Sequence, residues 1–198
     1  MTIETSRLLL RRYEEKDLKD YWQYVSSPAV GPNCGWQPYT DLEKAKERLT
    51  YEISNKGQYA IVLKSTGKVI GSIEIMSPDK DADAKGNAKE IGYISNPKYW
   101  GNGYMTEALK AIIKVCMDKL NTDEVISGYY QPNIGSGRVQ EKAGMSTYKR
   151  VKDMIVWHET GQYCDGIYKK ITRTQYLQSE IYKNLEIKII DENEKEKI

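Results

Sequence analysis

Glu90-Ile91-Gly92-Tyr93-Ile94-Ser95-Asn96-Pro97-Lys98-Tyr99-Trp100-Gly101-Asn102-Gly103-Tyr104-Met105-Thr106-Glu107-Ala108 is the stretch on which the reading of this chain turns. Glu90 to Ile94 reads as a strand, Trp100 to Gly103 as a glycine-containing turn, and Met105 to Leu120 as the clearest helix in the sequence. In that helix the pairs Ala108/Leu109, Ile112/Ile113 and Cys116/Met117 recur every four residues, which makes one apolar stripe for burial. Glycines let a backbone approach a ligand with no Cβ in the way. The first amides of a helix lack partners, and the helix dipole favours an anion there. The stretch therefore suits a phosphate or pyrophosphate, although a tight strand-to-helix turn with no ligand would use the same residues. Two phosphate loops are excluded. No Lys-Ser or Lys-Thr pair follows these glycines, as a Walker loop requires, and a dinucleotide loop needs glycine where Thr106 stands.

Outward from this segment the chain alternates short strands and helices. Arg7 to Tyr13 reads as a strand, and Leu18, Trp22 and Val25 fall at helical spacing before Pro28 ends that segment. Pro28 to Pro38 is a loop. Thr40-Asp41-Leu42-Glu43 fits a capping box, with Thr40 and Glu43 serving each other's end amides. The helix it opens places Leu42, Ala45, Leu49 and Ile53 on one face. Tyr59 to Leu63 and Val69 to Met76 read as strands joined by a turn at Ser65-Thr66-Gly67-Lys68. Ser77 to Ala88 is polar and reads as a mobile loop. Glu124 to Tyr129 is a strand, and Ile134 to Lys142 a helix with Gly144 placed to end it. Thr147 to Trp157 and Cys164 to Ile171 read as strands around His158-Glu159-Thr160-Gly161-Gln162, and Thr174 to Asn184 as a last helix. The economical division is one domain over 1–184 and a charged tail over 185–198, in which Ile187, Ile189 and Ile190 could add a short strand or pack on the domain.

Composition narrows the function classes. The chain has 198 residues, and 30 Lys+Arg against 28 Asp+Glu leave a net charge of +2, without the basic excess of a dedicated nucleic-acid binder. No stretch approaches the roughly 18 apolar residues of a membrane helix, and the amino terminus lacks a signal-peptide core. Three scattered cysteines, Cys34, Cys116 and Cys164, argue against a disulfide framework and for a cytoplasmic protein. The lone His158 belongs to no nucleophile elbow and to no short metal-ligand spacing, so neither a hydrolase triad nor a metal site is expected. There are sixteen Tyr and no Phe, so every large aromatic except Trp carries a hydroxyl.

Trp100-Gly101-Asn102-Gly103-Tyr104-Met105 resembles the acetyl-coenzyme A (acetyl-CoA) loop of the GNAT superfamily of N-acetyltransferases, Gln/Arg-x-x-Gly-x-Gly/Ala. The longer run from Glu90 to Ala108 resembles the branch typified by the RimJ and RimL ribosomal-protein acetyltransferases, whose loop commonly begins Tyr-Trp-Gly-x-Gly. Asn133-Ile134-Gly135-Ser136-Gly137-Arg138-Val139-Gln140-Glu141-Lys142-Ala143-Gly144-Met145 is similar to the second signature of that branch, Asn-x-x-Ser-x-x-Val-x-x-Lys-x-Gly-Phe. Thr5-Ser6-Arg7-Leu8-Leu9-Leu10-Arg11 and Asp165-Gly166-Ile167-Tyr168 fit the same branch, so the likeness runs from about residue 5 to 175. Trp100 departs from the superfamily Gln/Arg, Met105 from its second small residue, and Met145 from the frequent Phe.

The resemblance implies an α/β (α+β) fold: a mostly antiparallel, strongly twisted sheet with helices on both sides, splayed between the strands that contain Glu90 and Val125. It implies direct transfer of acetyl from acetyl-CoA to a primary amine, with no metal and no covalent enzyme intermediate. The acceptor would be a protein N-terminus, a polyamine or another small amine such as an aminoglycoside, and a homodimer is the common assembly of the superfamily. Ile94, Trp100, Gly101, Asn102, Gly103, Tyr104, Met105, Thr106, Asn133 and Ser136 are the residues that match cofactor-binding positions. Glu90 is the first candidate for the base, and strand alternation sets it on one face with Gly92 and Ile94. It could equally be a solvated edge residue. Glu74, between Ile73 and Ile75, is the second, or else simply faces outward. Ser136 matches the acid, or starts a helix, and Asn133 either holds the pantetheine arm or caps that helix. A main-chain amide near Tyr93 to Ser95 would meet the developing oxyanion. Trp36, Tyr39 and Tyr163 are candidates for lining the acceptor pocket, with ordinary packing the alternative. A non-catalytic acyl-CoA-binding or sensing module would keep the loop without the chemistry.

Overall fold

The computed structural model describes residues 1–157 and 162–190, with side chains of 155–157 and 162 left out of account. Nine strands form one sheet: β1 (Thr2–Glu4), β2 (Leu8–Arg11), β3 (Gln58–Leu63), β4 (Lys68–Met76), β5 (Ala88–Ser95), β6 (Glu124–Tyr130), β7 (Ser146–Trp157), β8 (Gln162–Thr172) and β9 (Lys188–Ile190). Their spatial order is β7-β8-β6-β5-β4-β3-β2-β1-β9. Every neighbouring pair is antiparallel except β5 and β6, which run parallel.

Six helices cover the sheet: α1 (Leu18–Val25), α2 (Leu42–Ser54), α3 (Tyr104–Asp118), α4 (Ile134–Lys142), α5 (Arg173–Gln178) and α6 (Glu180–Lys183). On one face α3 lays Leu109, Ile112, Ile113 and Cys116 against Leu8, Leu10, Ile61, Ile73, Ile91 and Val125. On the other, α1 and α2 pack Tyr21, Tyr24, Ala45 and Leu49 against Tyr13, Ala60, Val62 and Val69. Alternation along the strands explains both layers, since successive side chains point to opposite faces. The expected sheet with helices on both sides is the one found.

Local chemistry shifts several expected boundaries. α2 is capped by Asp41, whose carboxylate accepts from the Glu43 amide at 2.9 Å, so Thr40 takes no part in the capping box anticipated for it. An Asx cap one residue later serves the same orphan amides. Leu42 consequently lies at the first turn and stays 46% exposed, while Ala45 and Leu49 are buried. The polar stretch after β4 is anchored: residues 80–82 make one 3-10 turn, Ala82 is fully buried beside Ala88, Ile126 and Tyr168, and the Tyr148 hydroxyl donates to the Ala82 carbonyl. Lys149 reaches across to Asp83 at 2.6 Å. The last helix breaks at Ser179 into α5 and α6, with the capping box at Thr172 and Gln175. Residues 188–190 pair with β1 and extend the sheet. His158 lies outside the described residues. Among the described residues no helix is long and apolar enough to cross a membrane.

Candidate active site

The site is made by a failure of pairing. β5 and β6 share only three residue pairs, Ala88 with Glu124, Lys89 with Val125 and Glu90 with Ile126. Beyond these the strands diverge, although β5 stays paired to β4 as far as Ser95. Ile91 turns its carbonyl towards β6, where the Ser127 hydroxyl donates to it at 2.8 Å, whereas Asn96 sends its amide the other way, to the Ile70 carbonyl. Backbone groups alternate in direction along a strand. The amides of Tyr93 and Ser95 therefore open into the cleft, and that of Ile94 faces β4. Ile94 contributes its side chain to the cleft wall.

The cleft holds about 450 Å³ and runs between the splayed strands to the start of α3. Trp100, Gly101, Gly103, Tyr104, Met105 and Thr106 border one side of it, and Asn133 and Ser136 the other. Gly101 and Gly103 have φ of 80° and 77°, the left-handed region that side chains avoid, and this backbone turns the chain from the loop into α3. From Gly101 through Thr106 no amide donates to a backbone carbonyl or a side chain among the described residues. A run of free amides at the positive end of a 15-residue helix fits a pyrophosphate. Trp100, which departs from the superfamily residue, ties this loop to β5 instead, donating from Nε1 to the Ser95 carbonyl at 3.1 Å and the Ser95 hydroxyl at 2.9 Å.

A second tie comes from the amino-terminal segment. Glu107, in the first turn of α3, accepts from the Thr5 hydroxyl at 2.6 Å, the Ser6 hydroxyl at 3.2 Å, the Arg7 amide at 2.9 Å and Arg7 Nε at 2.6 Å. Arg7 also donates to the Asn102 carbonyl at 3.1 Å and stacks over Tyr104. Partial burial opposes ionisation of Glu107, but the Thr5 hydroxyl and the Arg7 amide and guanidinium outweigh it and hold the carboxyl below its usual range.

Across the splay, Asn133 caps α4 by accepting from the Ser136 amide at 3.1 Å. Ser136 Oγ lies 2.8 Å from the Tyr93 hydroxyl. Gln140, fully buried on α4, donates Nε2 to Ser127 Oγ at 3.0 Å and to Ser136 Oγ at 3.4 Å. One chain of hydrogen bonds thus joins Ile91, Ser127, Gln140, Ser136 and Tyr93, and bridges the divergence at its root. Burial, partly offset by bonds from Ser136 and Gln140, pushes the Tyr93 hydroxyl up to about 12.

A second cavity of about 420 Å³ continues from the cleft onto the α1–α2 face of the sheet. Glu74 and Glu90 both border it. Glu74 stands opposite Gly92 and Glu90 opposite Met76, so the two carboxylates share one face and sit diagonally. Asn55 Nδ2 donates to Glu74 Oε1 at 2.7 Å, and the Asp79 amide to Glu90 Oε2 at 2.7 Å. Burial raises the Glu90 carboxyl above its ordinary value, the Asp79 amide opposes this, and the Asp79 charge adds to it. Trp36 borders the cavity and meets Tyr39 edge to face, whereas Tyr163 is 60% exposed and borders neither space. Cys34 lies at the junction with its thiol pushed up by burial to about 11. Among the described residues no group of three or more His, Cys, Asp or Glu side chains could hold a metal ion.

Residues 7–146 match the acetyltransferase (GNAT) domain family. The chain belongs to that family. It is 28% identical over 166 residues to the uncharacterized N-acetyltransferase p20 of Bacillus licheniformis, covering 78% of this chain and 91% of that one. It is 31% identical over 149 residues to the uncharacterized N-acetyltransferase YnaD of Bacillus subtilis, covering 73% and 82%. Among solved structures, an acetyltransferase (GNAT family) from Bacillus anthracis aligns with a TM-score of 0.78 at 25% identity, over 88% of this chain and 99% of that one. A spermidine N-acetyltransferase of Vibrio cholerae, crystallised with CoA and spermine, shares the fold with a TM-score of 0.71 at 17% identity, over 87% and 99%.

The GNAT fold thus brings Ser136, Asn133 and the Trp100–Thr106 loop except Asn102 to one cleft, and Glu74 and Glu90 to the adjoining cavity. The Asn102 side chain turns back to the Tyr99 and Trp100 carbonyls. Sequence reasoning overlooked Tyr93, Gln140 and the Arg7–Glu107 clamp. Tyr93 was findable by alternation, since it shares a face with the buried Ile91 and so turns towards α4. Gln140 sits one helical turn after Ser136, on the same side of α4.

Proposed function

We propose that this protein transfers an acetyl group from acetyl-CoA to a primary amine, in the manner of the RimJ/RimL-like branch that its motifs resemble. The observation that carries the reading is the run of free amides from Gly101 to Thr106 beside a sheet that opens at Glu90. Those amides and the α3 dipole would hold the pyrophosphate. The free edge of β5 and the Asn133 side chain would hold the pantetheine arm. Acetyl-CoA supplies an activated thioester carbonyl.

The chain's own groups account for the rest. The Tyr93 and Ser95 amides stabilise negative charge at the carbonyl oxygen, where fixed donors in a dry cleft act most strongly. Glu90 or Glu74 takes the proton from the incoming ammonium, and burial suits Glu90 to this by raising its affinity for a proton. Ser136 Oγ, bonded to the Tyr93 hydroxyl, steadies the departing sulfur by a hydrogen bond, and the proton that neutralises the thiolate is one that the attacking amine sheds. No covalent intermediate on the protein is needed.

The experiment is calorimetric titration with acetyl-CoA, followed by a screen of peptides, polyamines and aminoglycosides with labelled acetyl-CoA. Binding and transfer to at least one amine class are expected, with slower turnover in Glu90→Gln and Ser136→Ala. Failure to bind acetyl-CoA overturns the reading.

A further inference from the structure

The far end of the acceptor-side cavity, built by α2, β3 and β4, gathers Glu52, Gln58, Ser72 and Glu74. Glu52 is 5% and Gln58 6% exposed. Glu52 Oε2 and Gln58 Oε1 are both shut off from solvent, and neither has a hydrogen-bond partner among the described residues. An acceptor buried without a donor is costly to the fold. Two of them beside one cavity mark a place that lacks donors. The bonds that the neighbouring donors make leave these two oxygens unserved. Arg48 gives Nε to Glu52 Oε1 at 2.6 Å and lies over the Tyr51 ring. Asn55 Nδ2 serves Glu74, and Arg12 serves the main-chain carbonyls of Asn55 and Gln58. The Tyr13 hydroxyl pairs with Tyr24. The charge points the same way, because Glu52, Glu74 and Glu90 border the cavity against Arg48 alone.

We propose that this end of the cavity is a cation subsite, and that the acceptor is a small amine carrying a second ammonium or guanidinium group. Glu52, with Gln58 and Glu74, seats the second group while the reacting amine faces Ser136 and Tyr93. The proposal rests on the acetyltransferase reading above and narrows its acceptor. Asn33, Cys34, Tyr93 and Ser136 border both spaces, so the cavity that holds Glu52 adjoins the cleft. A peptide amino terminus is a poorer occupant. It brings carbonyl oxygens that need donors, and the unsatisfied groups here are acceptors. A cation with several N–H groups can bond Glu74 and, with a small turn of the Glu52 and Gln58 side chains, both orphan oxygens.

The test compares straight-chain α,ω-diamines of three to six carbons with n-butylamine and with a neutral amino-terminal tripeptide. Both kcat/KM for acetylation and calorimetric affinity for the CoA-loaded protein are measured. A favoured diamine is expected to exceed butylamine at least about tenfold, the scale of one hydrogen bond to a charged group. In Glu52→Gln that ratio should fall towards one, mainly through KM. Glu74→Gln, read by the same ratio, covers the case in which the first variant does not fold. Equal use of diamine and butylamine, preference for the tripeptide, or a ratio that survives in folded Glu52→Gln overturns the subsite and leaves the acetyltransferase reading standing. If no amine is acetylated, the diamine-over-monoamine binding ratio still decides the subsite, whereas absent acetyl-CoA binding overturns the underlying reading.

Discussion

Replacing Glu107 with alanine should do two things at once, because one carboxylate holds both the amino-terminal segment and the cofactor loop. Four donors converge on it. The Thr5 hydroxyl is the most buried of them and would keep only the Leu8 carbonyl at 3.3 Å, so the loss is that of a hydrogen bond to a charged group, about 1.5–3 kcal/mol. The Arg7 guanidinium is 46% exposed, so its ion pair adds no more than about 1 kcal/mol after solvent screening. The sum is roughly 2–4 kcal/mol, or on the order of 10 °C in Tm for a chain of this size. Glu107→Gln keeps an acceptor for Thr5 and the Arg7 amide and loses mainly the ion pair, so it should cost about 1 kcal/mol. Both variants remove the ion pair that helps hold Arg7 against the Asn102 carbonyl, and both should weaken acetyl-CoA binding. The pH dependence has a definite sign. The folded carboxyl is held below its ordinary value of 4.5, so its contribution is complete above that pH and disappears as pH falls below it. The gap between wild type and Glu107→Gln should therefore be constant near neutrality and close in acid. Thermal melts by circular dichroism and calorimetric titration measure these effects. An alanine variant that melts with wild type, or one that loses stability while binding acetyl-CoA unchanged, refutes the clamp.

Gly103→Ala would force a Cβ into a φ of 77° with no close neighbour to collide with, so the cost is backbone strain of about 1–2 kcal/mol. Acetyl-CoA affinity measured by titration should fall about five- to thirtyfold. The acid limb of the kcat/KM profile should lie above pH 4.5, because burial raises Glu90, with the rate climbing as Glu90 loses its proton. Glu90→Gln should abolish that limb, and an unaltered profile would point to Glu74. Ile112→Ala removes a fully buried side chain from the α3 stripe and should cost about 2–5 kcal/mol in denaturant melts.

What the sequence reveals depends on whether the cause is local. The stripe of α3 is legible because its period alone decides burial, and Ile134–Lys142 is legible because Asn133 and Gly144 bracket it. The Thr40 cap misleads because Asp41 offers a competing Asx cap one position later. The anchoring of residues 80–82 depends on Tyr148 and Lys149, more than sixty positions away. The same holds for the site. Glycines and helix start announce the cofactor loop locally, but Glu52 looks like any surface acid on a polar helix. Only the packing of α2 onto β3 and β4 buries it and leaves its second oxygen without a donor.

The early parting of β5 and β6 gives this sheet four edges where nine strands in a row would have two. Exposed strand edges invite pairing with other chains and so with aggregates. Here the two inner edges lie inside the molecule, between α3 and α4, and the Ser127–Gln140 link fixes how far they open. A gap that would be a hazard on the rim of the sheet is, at its centre, a lined cleft of about 450 Å³.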